Sequence, residues 1–91
     1  MAEAAARLIV TGRVQGVGYR WWAIGEARRR TLRGWVRNRA DGSVEMLAIG
    51  EEAALEAFSE ACRSGPAAAQ VASVEGAEAQ DDGSEGFQER R

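Results

Sequence analysis

The sequence predicts an α+β sandwich: an antiparallel sheet with two helices on one face and a short extra strand at the C-terminal end, in a single domain spanning residues 1–91. Three observations predict it. Apolar residues recur at three- and four-residue spacing in two separate stretches, near 21–30 and 51–63. Short runs rich in β-branched and apolar residues stand around them. The pair Asp41-Gly42 falls between two such runs, which is the mark of a tight antiparallel reversal. A chain of 91 residues is one domain, long enough to fold without a disulfide or a metal.

Residues 1–6 are alanine-rich and predict a frayed end. A first strand is expected at about Arg7 to Gly12, where Leu8, Ile9, Val10 and Thr11 suit a buried position. A glycine-rich turn then leads into a helix over Trp21 to Arg30. Ile24, Ala27 and one of Trp21 and Trp22 share a side of it, while Glu26, Arg29 and Arg30 point elsewhere. The two tryptophans are assigned to core and rim packing. Gly25 inside this helix costs about 1 kcal/mol relative to Ala, and close backbone contact with the sheet is the expected reason.

Gly34 to Asn38 reads as a strand with Val36 and Asn38 on one face and Trp35 and Arg37 on the other. Asn38 therefore ends a buried row. Ser43 to Ile49 returns as its hairpin partner, placing Val44, Met46 and Ala48 inward and leaving Leu47 and Ile49 beside Glu45 as a small apolar patch outside. In the second helix Ala54, Leu55, Phe58, Ala61 and Cys62 form the apolar face. Glu51 and Glu52 stand in its first turn and Arg63 in its last, which complements the helix dipole, and Ser64-Gly65-Pro66 stops it. A fourth strand runs from about Gln70 to Ala79, followed by an acidic turn at 81–86. Phe87 begins a last short strand in which Glu89 stands where alternation wants an apolar residue, so this piece is an edge or a frayed end. The order β-α-β-β-α-β is the signature of a ferredoxin-like sandwich.

The composition excludes several classes of function. There is no histidine and one cysteine, Cys62, so neither an intrachain disulfide nor the usual structural zinc sites can form. A cytoplasmic protein without metal or cofactor is expected. No basic segment with an apolar run opens the chain, and no stretch approaches the roughly 20 apolar residues of a membrane span. Cys62 lies on an apolar helix face and has no basic partner, so it is given no chemistry. The net charge of −2 is unevenly spread: residues 1–40 hold nine arginines against two acids, and residues 41–91 hold three against twelve. A basic face from Arg28, Arg29, Arg30, Arg33 and Arg37 is read as solvated, and an acidic chain argues against binding nucleic acid through non-specific phosphate attraction.

The turn Gly12-Arg13-Val14-Gln15-Gly16-Val17-Gly18-Tyr19-Arg20 carries the chemistry. A glycine-rich turn from a strand into a helix leaves several N–H groups without intrahelical partners and aims the positive end of the helix dipole at whatever binds. From Gly12 to Arg20 there is no Ser, Thr, Asp or Asn to cap them. The Arg20 guanidinium adds a planar two-pronged donor suited to phosphate or carboxylate. An anion cradle results. The glycine spacing is not that of a dinucleotide fold, and no Gly-Lys-Ser/Thr follows as a nucleotide P-loop requires.

The block at 12–20, together with Gly34-Trp35-Val36-Arg37-Asn38 and the following Asp41-Gly42, Val44 and Glu45, resembles the acylphosphatase family over nearly the whole chain. Gly65-Pro66, Val71, Val74 and Gly86-Phe87 with Arg90-Arg91 add weaker support. Tyr19 stands where Phe is commoner, and Glu89 where the last strand usually has an aliphatic residue. The resemblance implies metal-independent hydrolysis of the carboxyl–phosphate bond of small-molecule acyl phosphates; a monomer is the favoured state, with nothing in the sequence fixing it. The resemblance also implies that Arg20 binds the phosphate with the backbone N–H groups of Gln15, Gly16, Val17, Gly18, Tyr19 and Arg20, that Asn38 holds the attacking water, and that the substrate phosphate can take the water's proton. Two other readings differ in class. A non-catalytic phosphate-binding regulatory module would bind without turnover, and the intact pair Arg20 and Asn38 argues against it. Nucleic-acid binding would call for the aromatic RNP1 pattern, which is missing.

Overall fold

In the computed structural model, which describes residues 3–91, the first strand starts earlier than composition suggests. Strand β1 spans Glu3–Arg13, and Glu3 to Ala6 pair with Glu51 to Ala48 of the neighbouring strand, so those residues are not frayed; the rest of that expectation falls on residues 1 and 2, outside the described residues. Alanine has weak strand preference, and here pairing with a central strand overrides it. Helix α1 (Tyr19–Arg29), strands β2 (Arg33–Asn38) and β3 (Val44–Glu51), helix α2 (Glu52–Ser64), and strands β4 (Gln70–Glu78) and β5 (Phe87–Glu89) follow. The sheet order is β4-β1-β3-β2-β5. The first four strands pair antiparallel, and β5 joins the edge parallel to β2, with Val36 opposite Glu89.

Period-two alternation sends Leu8, Val10, Val36, Val44, Met46, Ala48, Val74 and Phe87 to the face that the helices cover, and all are buried. In α1 the buried row is Tyr19, Ala23 and Ala27, at four-residue spacing, with Trp22 and Ile24 only partly buried beside it. The small alanines let the helix approach the sheet. α2 contributes Phe58 and Cys62. Phe58 meets Phe87 edge to face, with ring centroids 5.9 Å apart. Burying Phe87 contributes about 1.5–3 kcal/mol, which anchors a strand of only three residues.

Two expectations are corrected. Gly25 makes no close approach to the sheet: a Cβ built there meets nothing within 4 Å, and the residue faces solvent. Leu47 and Ile49 do not form an exposed patch, because β3 is the middle strand and long side chains from both neighbours cover it. Arg7 and Trp35 stand opposite Leu47, and Arg33 opposite Ile49. Glu45 on the same face is 3% exposed and accepts from Arg7 Nε at 2.5 Å and Arg37 Nε at 2.6 Å. Burial pushes its carboxyl up, but the hydrogen bonds from Arg37 and Arg7 outweigh that and hold it below the usual glutamate range.

α1 ends without glycine. Leu32 N–H donates to Ala27 O at 3.0 Å and Thr31 N–H to Arg28 O at 3.1 Å, the paired bonds of a Schellman ending, with Thr31 at φ 59° in the left-handed position. The reversal to β2 is therefore tight.

Candidate active site

Two loops meet at the end of the sheet where β1 and β2 finish and β3 starts. In the first, Gly16 (φ 74°) and Gly18 (φ 81°) adopt left-handed conformations that other residues resist, and Gly18 caps α1 without any side-chain hydrogen bond. The first bond of the helix is from Trp22 N–H to Gly18 O, at 3.0 Å. No acceptor among the described residues takes the backbone N–H groups of residues 15–20. Those donors meet the positive end of the α1 dipole. Cβ atoms built on Gly16 or Gly18 would meet nothing within 4 Å, so the ground beside the turn is open.

The second loop, residues 39–43, joins β2 to β3. Arg39 N–H donates to Ser43 O at 2.9 Å, and Asp41 accepts from the Ser43 hydroxyl and N–H at 2.6 and 2.9 Å. Those bonds, the hydroxyl's first, hold the Asp41 carboxyl below its ordinary range. The Gln15 side chain fastens the two loops together, with Nε2 donating to Arg39 O at 2.8 Å and Ser43 O at 2.9 Å.

Between the loops lies a cleft of about 150 Å³ lined by Val14, Gly16, Gly18, Tyr19, Arg20, Trp21, Asn38 and Glu89. Of the residues singled out in the sequence, Gly16, Gly18, Tyr19, Arg20 and Asn38 come together here. Val17 packs against the core instead, and the Gln15 side chain turns to the hairpin loop. Tyr19 is buried, and its hydroxyl donates to Cys62 O at 2.7 Å, tying the start of α1 to the end of α2. Burial pushes this hydroxyl far above its ordinary value and the Cys62 thiol up to about 12, so both stay neutral. Asn38 Oδ1 is buried with no hydrogen-bond partner among the described residues, an uncommon state for an amide oxygen. Trp21 stands at the rim, 85% exposed.

Glu89 is the site residue that the sequence did not offer. Its carboxylate pairs with Arg20 Nη1. Alternation puts Glu89 on the same face as Phe87, but at the sheet margin it meets the start of α1 and not the core. The break in apolar alternation at position 89 was the available signal; Gln15 was expected only for its backbone N–H, and nothing in the sequence pointed to the tie its side chain makes.

A larger depression of about 510 Å³ lies beside Trp35, Asp82 and Arg90. Three of its polar side chains engage one another: Trp35 Nε1 donates to Asp82 at 3.1 Å, and the Arg90 guanidinium lies 4.8 Å from the Trp35 ring centroid. The five arginines of the possible basic face are also engaged. Arg28 donates to Phe87 O at 3.1 Å, Arg29 and Arg30 pair with Glu26, Arg33 with Glu3 and Asp81, and Arg37 with Glu45.

The family model Acylphosphatase matches residues 6–89. The chain is 53% identical over 70 residues to an acylphosphatase from Acidiphilium cryptum (strain JF-5), covering 77% of each chain. It is 55% identical over 76 residues to one from Anaeromyxobacter sp. (strain Fw109-5), covering 82% of each. A crystal structure of acylphosphatase from Bacillus subtilis superposes with a TM-score of 0.91 at 43% identity, over 96% of this chain and 98% of that one.

Proposed function

The chain belongs to the acylphosphatase family and is an enzyme, and we propose that it hydrolyses small-molecule acyl phosphates without a metal, with Arg20 and the N–H groups of residues 15–20 holding the phosphoryl group and Asn38 the attacking water. The observation that carries this reading is that Asn38, whose side-chain Oδ1 is left without a partner among the described residues, lines the same cleft as Arg20. A small rotation turns this uncommitted amide toward the cleft, where it can hydrogen-bond one water and fix its orientation toward a phosphorus atom seated in the cradle.

The water oxygen forms a bond to phosphorus as the bond from phosphorus to the acyl oxygen breaks. The electron pair leaves with the carboxylate, and the water's proton passes to a phosphoryl oxygen. Charge grows on equatorial oxygens, which the uncapped N–H groups and the Arg20 fork stabilise. The leaving carboxylate is a stable anion with a pKa near 4, so no general acid is called for. The metal-free route rests on the uncapped N–H groups and Arg20, which supply the positive charge the phosphoryl oxygens need. Among the described residues, no helix is long and apolar enough to cross a membrane. Action as a monomer in a cytoplasmic setting, from a single domain over 1–91, belongs to the same reading.

The experiment is release of phosphate from benzoyl phosphate by the purified protein, with and without a chelator. Equal turnover in both is expected. Loss on chelation, restored by magnesium or zinc, would contradict the metal-free route. Phosphate binding without turnover would leave an anion-binding module.

A further inference from the structure

We propose that Glu89 is a displaceable internal anion at Arg20, which competes with phosphate for the guanidinium and so sets the affinity of the site for substrate and product. This rests on the assignment of Arg20 to the phosphoryl group. The geometry follows from β5. Its parallel register sets Glu89 opposite Val36, two residues before Asn38, and alternation turns Glu89 to the helix side, where α1 begins. Its neighbour two residues back, Phe87, is locked in the core, and Arg90 N–H donates to Val36 O at 2.8 Å, so the strand is held on both sides of Glu89. The carboxylate is thereby delivered to the cleft that Arg20, Gly16, Gly18 and Asn38 line. Among the described residues it is the one ion-pair partner of Arg20.

A carboxylate there acts against an incoming phosphoryl group in two ways. It occupies a donor of the guanidinium, and it places a negative charge beside a doubly charged anion. The pair is open to solvent, with the Arg20 and Glu89 side chains 37% and 52% exposed, so it is weak and reversible. A dianionic phosphoryl group displaces it by offering Arg20 more charge and by engaging the uncapped N–H groups of the turn at the same time. The same competition favours departure of the product phosphate. A loosely held carboxylate is suited to this task, because a buried one would close the site.

The test uses the whole protein and its Glu89→Gln variant, which keeps shape and removes charge. The inhibition constant of inorganic phosphate and the KM for benzoyl phosphate should both fall about threefold to tenfold, the scale of an exposed pair together with one removed like charge. Turnover at saturating substrate should stay within about threefold of the parent. An unchanged or higher phosphate inhibition constant would overturn the proposal, since a Glu89 that merely orients Arg20 weakens binding when lost. Loss of about two orders of magnitude or more in kcat would also overturn it and make Glu89 the proton acceptor. Arg20→Ala, measured beside it by calorimetric phosphate titration, separates the two claims. If phosphate binds Arg20→Ala as it binds the parent, the Arg20 assignment fails and the competition with it. If Arg20→Ala loses phosphate while Glu89→Gln matches the parent, the Glu89 proposal alone fails.

Discussion

The side-chain amide of Gln15 donates to the carbonyl of Arg39 at 2.8 Å, and so binds the glycine turn to the residue that follows Asn38. With the second bond to Ser43 O, one side chain adds a direct tie between the anion cradle and the loop after Asn38, beyond the pairing of β1 and β2 with β3. Gln15→Ala should lower kcat by about tenfold, because reacting groups held loosely forfeit part of the advantage of orientation, and should cost about 1 kcal/mol of stability. Gln15→Glu should be worse, since a carboxylate would face two carbonyl oxygens. Turnover of benzoyl phosphate and urea unfolding of both variants check this; a fully active Gln15→Ala would remove Gln15 from the site's architecture.

Glu45 makes stability depend on pH. Its carboxyl lies below the usual range in the folded chain, so its contribution is complete above the unfolded value of about 4.3 and is lost as pH falls through the lower folded value. Glu45→Gln should cost about 1–3 kcal/mol at neutral pH, and the gap in Tm from the parent should close as pH is taken down below the unfolded value of about 4.3. Thermal melts from neutral into acid pH measure it. A gap that stayed constant would mean that shape and not charge holds Glu45 in place.

Gly25 has neither a positive φ nor a neighbour that a methyl group would strike. Gly25→Ala should therefore stabilise the protein by about 0.5–1 kcal/mol, by restricting the unfolded chain and favouring the helix. Urea unfolding and benzoyl phosphate turnover on one preparation decide it; destabilisation would point to a backbone contact at Gly25.

Elements with strong local period were legible in the sequence. The spacing of Ala54, Leu55, Phe58 and Cys62 located α2, and Asp41-Gly42 located the β2–β3 reversal. The pieces that tertiary pairing decides were not. Glu3 to Ala6 carry little strand preference and are strand because β3 lies beside them. Glu45 looked like a solvent residue because its two arginine partners come from the strands on either side of it. In the candidate site, the uncapped turn and Arg20 were readable from local chemistry, and the position of Asn38 from strand alternation. Glu89 was not, because its meeting with Arg20 depends on which edge β5 joins, and alternation within one strand carries no information about that.

The central claim is that binding and water positioning are separate tasks of Arg20 and Asn38, and kinetics of Asn38→Ala beside Arg20→Lys tests it most directly. The Asn38→Ala variant should turn over about 100-fold more slowly, or worse, while its phosphate inhibition constant stays within about threefold of the parent and its Tm is retained. Arg20→Lys, which keeps a charge but gives up the planar fork, should weaken phosphate binding and turnover together. An Asn38→Ala protein that stays active, or that loses phosphate binding and turnover in equal measure, would contradict the account.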